Sequence, residues 1–159
     1  MHKIDGFTLI EVLMTIVIVS ILAILPFFSM PATSINLDGQ AQQLAHDIRY
    51  TQSLSMTKSQ RYRLQLNTGT NSYQIVNGAG TAVLLASGST TVTLNTGISF
   101  ATLTNLPNNM IVFDGDGVPY TDTSIPGTAL SANASITLQS SGSSKTVVIT
   151  PLTGKVNVQ

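Results

Sequence analysis

The sequence predicts an α+β protein in which a long N-terminal helix precedes, and in its second half packs on, an antiparallel β-sheet domain. An almost wholly apolar run from Phe7 to Phe28 predicts the first half of this helix, and an amphipathic stripe over about residues 37–58 predicts its second half. From residue 60 onward, short strand-like segments alternate with glycine, asparagine and serine. Helix first and strands afterwards is the α+β arrangement.

The composition limits the classes of function. The formal net charge is zero and only 9% of the 159 residues are charged, so the whole molecule offers no strong field for nucleic acid or anionic lipid. The absence of cysteine excludes disulfides, thiolate metal sites and cysteine nucleophiles. The length suits one domain behind a targeting segment.

The apolar run is long enough to cross a membrane. A helix from Phe7 to Phe28 would cover about 33 Å at roughly 1.5 Å per residue, close to the ~30 Å hydrocarbon core. The sequence therefore predicts a transmembrane and assembly helix over residues 7–30. A cleaved secretory signal peptide is the alternative, but its apolar region is shorter, and the segment from Pro26 to Pro31 offers no small-residue cleavage site.

A single carboxylate, Glu11, lies near the start of this run. An acidic group deep in a spanning helix costs about 2.5 to 3.5 kcal/mol on insertion scales, so it usually has a partner; near the helix end it could simply reach the interface. If the chain is cut between Gly6 and Phe7, the new α-amine lies one helical turn from Glu11. The partner is then the amine of the same chain or that of a neighbouring subunit, and only the neighbour's amine would set the register of an assembly.

The second half of the helix is expected to bury one stripe. Its members are Leu37, Ala41, Leu44, Ala45, Ile48 and Thr51. The side chains expected on the remaining, solvated surface are Gln42, His46, Asp47 and Arg49. Asn36 or Asp38 is expected to cap the start of this helix, and Pro26 and Pro31 are expected to bend or interrupt the chain before it.

Eight short strands are expected after the helix, because these segments carry β-branched, aromatic or alternating apolar residues between turn signals. They are Arg61–Leu66, Ser72–Val76, Thr81–Ala86, Thr91–Leu94, Met110–Phe113, Ser135–Leu138, Thr146–Thr150 and Lys155–Val158.

The chain start resembles the class III signal sequence of type IV pilins and type II secretion pseudopilins. Gly6 is followed by Phe7-Thr8-Leu9-Ile10-Glu11 and then by the apolar helix. The resemblance implies that a prepilin peptidase cuts between Gly6 and Phe7 and N-methylates Phe7, and that Phe7 and Glu11 support assembly. It implies a leader over residues 1–6 and a periplasmic pilin-like domain over residues 31–159.

Four later stretches are similar to the GspH/FimT group of minor pseudopilins and minor pilins. They are Ala41…Leu44…Ile48, Arg61-Tyr62-Arg63-Leu64, Ile111-Val112-Phe113-Asp114-Gly115 and the terminal Gly154-Lys155-Val156. This resemblance implies a structural subunit held by a single pass in the bacterial inner membrane and taken up into a pseudopilus or pilus. Its partners would be other pilins or pseudopilins, the prepilin peptidase and the inner-membrane assembly platform, and no cofactor is implied.

The alternative function is a pilus-tip minor pilin that binds DNA during uptake. Arg61 and Arg63 share one strand face, and Lys155 could join them if the last strand folds nearby. So few cations would give weak, salt-sensitive binding, and no aromatic residue is interleaved on that face to stack on bases. A solvated strand face is the simpler interpretation.

Two further kinds of chemistry receive little support. Asp114, Asp116 and Asp122 form a weak calcium candidate, but an EF-hand loop needs more acidic ligands, and turn formation explains these residues as well. No G-x-S-x-G elbow occurs, and His46 would be the one histidine left after cleavage, so no catalytic group is expected. The sequence predicts a protein that is not an enzyme.

Overall fold

The computed structural model describes residues 8–24, 32–85 and 88–159. The chain divides into two compact units, Met1–Ala32 and Thr33–Gln159. Helix α1 (Leu9–Ile24) belongs to the first unit, and helix α2 (Ala32–Lys58) lies almost wholly in the second. The bends predicted at Pro26 and Pro31 fall outside the described residues.

Helix α2 begins earlier than the sequence predicted. It starts at Ala32, so Asn36 and Asp38 lie inside the helix and the prediction that one of them caps it is wrong. The residues between Ala32 and Asp38 include neither proline nor glycine, and nothing in them stops the helix. The helix is followed by Ser59 with a positive φ of 49°, the left-handed geometry typical of a helix C-terminus.

The described residues after α2 form nine strands. They are β1 (Tyr62–Asn67), β2 (Ser72–Asn77), β3 (Val92–Thr93), β4 (Ser99–Thr104), β5 (Met110–Phe113), β6 (Pro119–Tyr120), β7 (Ala134–Ser140), β8 (Ser143–Ile149) and β9 (Val156–Val158). All named pairings are antiparallel.

The strands form two sheets. The first has the order β3-β2-β1-β5-β6, and the second has the order β4-β7-β8-β9. In the first sheet Leu64 of β1 lies opposite Ile75 of β2 on one side and Ile111 of β5 on the other. In the second sheet the β7–β8 hairpin turns at Ser141 and Gly142, as the sequence predicted.

The strand predictions failed for three segments. Thr81–Ala86 was predicted as a strand, but the described part of this segment only makes an isolated bridge between Ala82 and Val76. Strands β4 and β6 were not predicted. The pairing of β4 with β7 shifts between Phe100 and Thr102, and such a bulge disrupts the two-residue period on which strand prediction depends.

The buried stripe of α2 packs into one hydrophobic core together with residues of both sheets. Every predicted stripe residue is buried, with Ala41, Leu44, Ala45, Ile48 and Thr51 at 0% exposure. The sheets contribute Leu64, Ile75, Ile111 and Phe113 from the first, and Ile136, Leu138, Val147 and Ile149 from the second. The predicted amphipathic helix on an antiparallel domain is therefore confirmed in the second unit.

One residue of α2 was assigned to the wrong surface. Asp47 was predicted to be solvated, but it is 8% exposed and its Oδ2 accepts a hydrogen bond of 2.7 Å from the hydroxyl of Tyr73. The Nδ1 atom of His46 lies 3.5 Å from the other carboxylate oxygen. A carboxylate can be buried here because a phenol on β2 supplies the donor that water would otherwise provide.

Polar side chains of α2 also bind the β5–β6 turn and the segment around the start of β9. The Nε2 group of Gln52 donates to the carbonyl oxygens of Gly117 and Thr153, each at 2.9 Å. Arg49 donates to the carbonyl oxygen of Val156 at 2.8 Å. These bonds join the β5–β6 turn and the start of β9 to the helix, although the three segments are far apart in sequence.

Candidate functional site

Helix α1 presents an apolar surface on every side. All of its large apolar side chains from Leu9 to Ile21 are exposed, from 47% for Val12 to 84% for Leu9. A helix that is apolar all round is stable only when it is buried in protein or lipid. Within the described part of the chain, no helix is both long enough and apolar enough to cross a membrane.

The hydroxyl groups in the interior of α1 are satisfied inside the helix. Thr15 donates to the carbonyl oxygen of Val12 at 2.8 Å, and Ser20 donates to that of Ile16 at 2.7 Å. Such bonds leave no free hydroxyl donor on the helix surface. Thr15 and Ser20 therefore do not need polar partners from a neighbouring molecule.

Glu11 is different, because it is the only ionisable residue between Thr8 and Ile24. It lies in the first turn, where its backbone N–H points to the hydroxyl oxygen of Thr8 at 3.4 Å and to the carbonyl oxygen of Thr8 at 3.0 Å. Threonine followed three residues later by glutamate is the spacing of a capping box. The helix dipole at this end also favours a negative charge.

The carboxylate of Glu11 has no ion-pair partner within residues 8–24, 32–85 and 88–159. Gly6 and Phe7, the two residues of the predicted cleavage site, lie outside the described residues. The cleavage, the methylation and the pairing of Glu11 with a Phe7 amine therefore stay predictions. The described geometry contains one exposed carboxylate at the tip of an apolar helix.

The structure does not gather the predicted DNA-binding residues on one exposed face. Arg61 and Arg63 lie on either side of Tyr62 at the start of β1 in the first sheet, whereas Lys155 directly precedes β9 in the second. The guanidinium of Arg61 already donates to the carbonyl oxygens of Ser124 and Pro126. Its charge is used within the molecule, so the basis for nucleic-acid binding is weaker than the sequence suggested.

The same guanidinium lies over an aromatic ring. Its central carbon, Cζ of Arg61, is 4.6 Å from the centroid of the Tyr120 ring. This cation–π contact and the two carbonyl acceptors fix the orientation of Arg61. No sequence pattern indicates this contact, because Tyr120 and the accepting loop are distant along the chain.

The calcium candidate is not assembled either. Asp114 accepts from the backbone N–H groups of Asp116 at 3.0 Å and Val118 at 2.8 Å, so it shapes the β5–β6 turn. No three carboxylate or imidazole side chains of the described residues gather closely enough to hold a metal ion. The prediction that these aspartates stabilise turns fits this geometry better than the prediction that they bind calcium.

Asp122 shapes the next loop in the same way. Its two carboxylate oxygens accept from the backbone N–H groups of Ser124 at 2.9 Å and Thr128 at 3.0 Å. Hydrogen bonding to Thr128, and to Ser124, holds the pKa of this exposed carboxyl below its usual value. Asp122 is therefore held in its ionised form by the loop that it closes.

The sequence matches two protein-family models. Residues 40–153 match the family described as type II transport protein GspH. Residues 1–25 match the prokaryotic N-terminal methylation motif, which includes Gly6, Phe7 and Glu11. No curated protein sequence is similar enough to this chain to serve as a relative.

Two solved structures share the fold. The type IV minor pilin FimU of Pseudomonas aeruginosa has a TM-score of 0.54 at 14% identity, over 77% of this chain and 87% of that one. The minor pseudopilin EpsH from the type 2 secretion system of Vibrio cholerae has a TM-score of 0.53 at 11% identity, over 78% of this chain and 96% of that one. The predicted pilin-like α+β fold is confirmed.

Proposed function

This chain belongs to the GspH family of type II transport proteins, and we propose that it enters a pseudopilus or pilus as a minor subunit through its N-terminal helix. Its role is structural, as the family and the minor-pilin fold indicate. The observation that carries the proposal is helix α1: an all-round apolar surface with one carboxylate, Glu11, in its first turn.

The apolar surface of α1 supplies affinity without specificity. In a bundle of apolar helices the packing surfaces are chemically alike, so helices can slide along one another at little cost. A charge removes this freedom, because an ion left unpaired in an apolar bundle is strongly unfavourable. Glu11 is thus suited to select one axial position for each subunit.

The proposed partner of Glu11 is the α-amine that cleavage after Gly6 would create on Phe7. A chain-terminal amine ordinarily has a pKa of about 7.7 to 8 and is largely cationic at neutral pH. Supplied by the preceding subunit, it would pair with Glu11 and set the stagger of the fibre. The match of residues 1–25 to the N-terminal methylation motif supports processing at this site.

We further propose that residues 7–30 lie in the bacterial inner membrane before assembly, with the leader cytoplasmic and residues 31–159 periplasmic. The prepilin peptidase and the inner-membrane assembly platform would act on this form. Protease added to spheroplasts is expected to digest the domain, and digestion only after lysis would contradict the orientation.

The pairing of Glu11 is tested by Glu11→Gln, which keeps the size of the side chain and removes its charge. Incorporation into sheared fibres is expected to fall at least about tenfold, which corresponds to ~1.4 kcal/mol. Thr15→Val is the matched control, because the Thr15 hydroxyl bonds only within the helix. Equal incorporation of Glu11→Gln and Thr15→Val would refute the role of the charge.

Processing is tested separately by mass spectrometry of the full chain from its own cells. A terminus at Phe7, with one added methyl group, is expected. An intact Met1 terminus would refute the cleavage proposal, whatever the Glu11 variant does.

A further inference from the structure

A groove lies on the face of the first sheet that is turned away from helix α2. Its lining includes Arg63 of β1, Val112 of β5, Ala79 in the turn after β2, and Arg61 and Ile125 at its margin. We call it the outer groove. None of the described residues that line it is acidic.

Arg63 lies in the centre of this face. In the sheet register it is opposite Val76 of β2 and Val112 of β5. Both valines are buried, at 2% and 1% exposure, yet neither belongs to the main core around α2. Directly opposed residues share a sheet face, so the aliphatic stem of Arg63 covers the two valines and carries its charge to the groove.

The two arginines are not equivalent. Arg61 has three partners within the molecule, since it donates to Ser124 and Pro126 and stacks on Tyr120. Arg63 instead has a buried Nε donor that finds no acceptor among the described residues. An unpaired buried donor costs free energy, and an acceptor brought into the groove, after a small rotation of the guanidinium, would remove this cost.

The margin of the outer groove carries a preorganised apolar side chain. Ile125 is 87% exposed, at the tip of a loop whose backbone is held from two directions. Arg61 binds the carbonyl groups on both sides of Ile125, and Asp122 accepts from Ser124 and Thr128. A partner would therefore meet Ile125 without ordering this loop, which reduces the entropic cost of binding.

We propose that the outer groove is a docking site for a segment of a partner protein in which a carboxylate is flanked by apolar side chains. The carboxylate pairs with the guanidinium of Arg63 through Nε and one Nη, and the apolar neighbours contact Ile125 and Ala79, an exposed apolar residue of the lining. A carboxylate complements this groove because Arg63 is a cation whose Nε finds no acceptor among the described residues, and no acidic residue of the lining competes for it. A single available guanidinium favours a peptide over DNA, whose affinity depends on several phosphate contacts.

The test uses the full ¹⁵N-labelled chain in detergent micelles and the peptide acetyl-Leu-Glu-Leu-amide. Saturable shifts are expected for the Nε–H resonance of Arg63 and for the backbone amides of Ala79, Val112 and Ile125. Arg63→Gln is expected to weaken binding about tenfold. Lys155→Gln is the matched control, since it removes an exposed cation next to the second sheet, and it should leave the affinity unchanged.

A second variant covers the case in which Arg63→Gln disturbs the sheet. Ile125→Ser changes a side chain that is 87% exposed, so the fold is retained, and binding is expected to weaken several-fold. The proposal is overturned if acetyl-Leu-Gln-Leu-amide binds equally well, if neither variant changes the affinity, or if a single-stranded oligonucleotide shifts these resonances and the acidic peptide does not. None of these outcomes depends on fibre assembly, so they are independent of the Glu11 experiment.

Discussion

The hydroxyl of Tyr73 on β2 donates a hydrogen bond of 2.7 Å to Oδ2 of Asp47 on α2, and both residues are buried at the junction of helix and sheet. Packing alone would allow an apolar helix to slide over a sheet. The buried carboxylate of Asp47 prevents such sliding, because a shift of the helix would take it away from the Tyr73 hydroxyl and leave it without a donor. This pair therefore fixes where α2 sits on the first sheet.

Tyr73→Phe is expected to lower the free energy of unfolding by about 1–3 kcal/mol, since it removes the donor to Asp47 and leaves a buried carboxylate oxygen unpaired. Chemical denaturation of the full chain in detergent gives this value. Tyr50→Phe is the matched control: Tyr50 lies on the exposed surface of α2, at 36% exposure, and its change should be close to zero. Equal effects of the two variants would show that the Asp47 bond contributes nothing.

The same pair predicts a loss of stability in alkali. Burial, then the hydrogen bond to Asp47 and its negative charge, raise the pKa of Tyr73 far above its ordinary value of 10.0. Above pH 10 the unfolded chain releases this proton and the folded chain keeps it. The stabilisation is therefore complete below about pH 10 and declines as the pH rises further, by up to ~1.4 kcal/mol per pH unit.

The check for this second prediction is unfolding of wild type and Tyr73→Phe at several pH values between 8 and 12. The stability difference between them should be constant up to about pH 10 and should shrink above it. A difference that stays constant throughout would mean that Tyr73 does not titrate differently in the folded state.

Gly154→Ala is expected to destabilise the domain by about 2–4 kcal/mol. Gly154 has a φ of +62°, and an added Cβ would lie 2.6 Å from Nε2 of Gln52 and 2.8 Å from Cε1 of Phe113. Gly142→Ala separates the two causes, since Gly142 has a φ of +82° but open space around it, and its cost should be only about 1–2 kcal/mol. Thermal unfolding measures both, and equal costs would contradict the steric argument.

Asp122→Ala is expected to loosen the loop from residue 122 to residue 128, since Ser124 and Thr128 lose their acceptor. Amide hydrogen exchange should become faster at Ser124 and Thr128. Asp116→Ala is the control, because Asp116 donates through its backbone N–H to Asp114 in the neighbouring β5–β6 turn, and alanine keeps that group. Unchanged exchange in Asp122→Ala would show that Arg61 alone is sufficient.

Protonation of Asp122 in acid should loosen the loop from residue 122 to residue 128, as Asp122→Ala does. Since hydrogen bonding lowers the folded-state pKa of Asp122, its contribution is present above the unfolded value of 3.8 and is lost as the pH falls through the folded value. In the wild type, the amides of Ser124 and Thr128 should therefore lose protection, relative to their intrinsic exchange rate at each pH, only when the pH falls to the folded-state pKa of Asp122, which lies below 3.8.

Local patterns determined much of this protein. The stripe from Leu37 to Thr51 has a helical period, and the turn residues at Ser141-Gly142 act on their immediate neighbours, so helix α2 and the β7–β8 hairpin were predictable. The chain start was also readable, since Gly6, Phe7 and Glu11 lie within a few residues of one another and match the N-terminal methylation motif.

Only the tertiary structure decided the rest, because the deciding partners are distant in sequence. Asp47 looks like a surface residue until Tyr73 is brought to it, and Arg61 looks like a free cation until the chain returns at Tyr120 and Ser124. The division into two sheets likewise depends on pairings between remote strands. Periodicity determines which face of a helix or strand is apolar, whereas the satisfaction of a buried polar group depends on what the fold places opposite it.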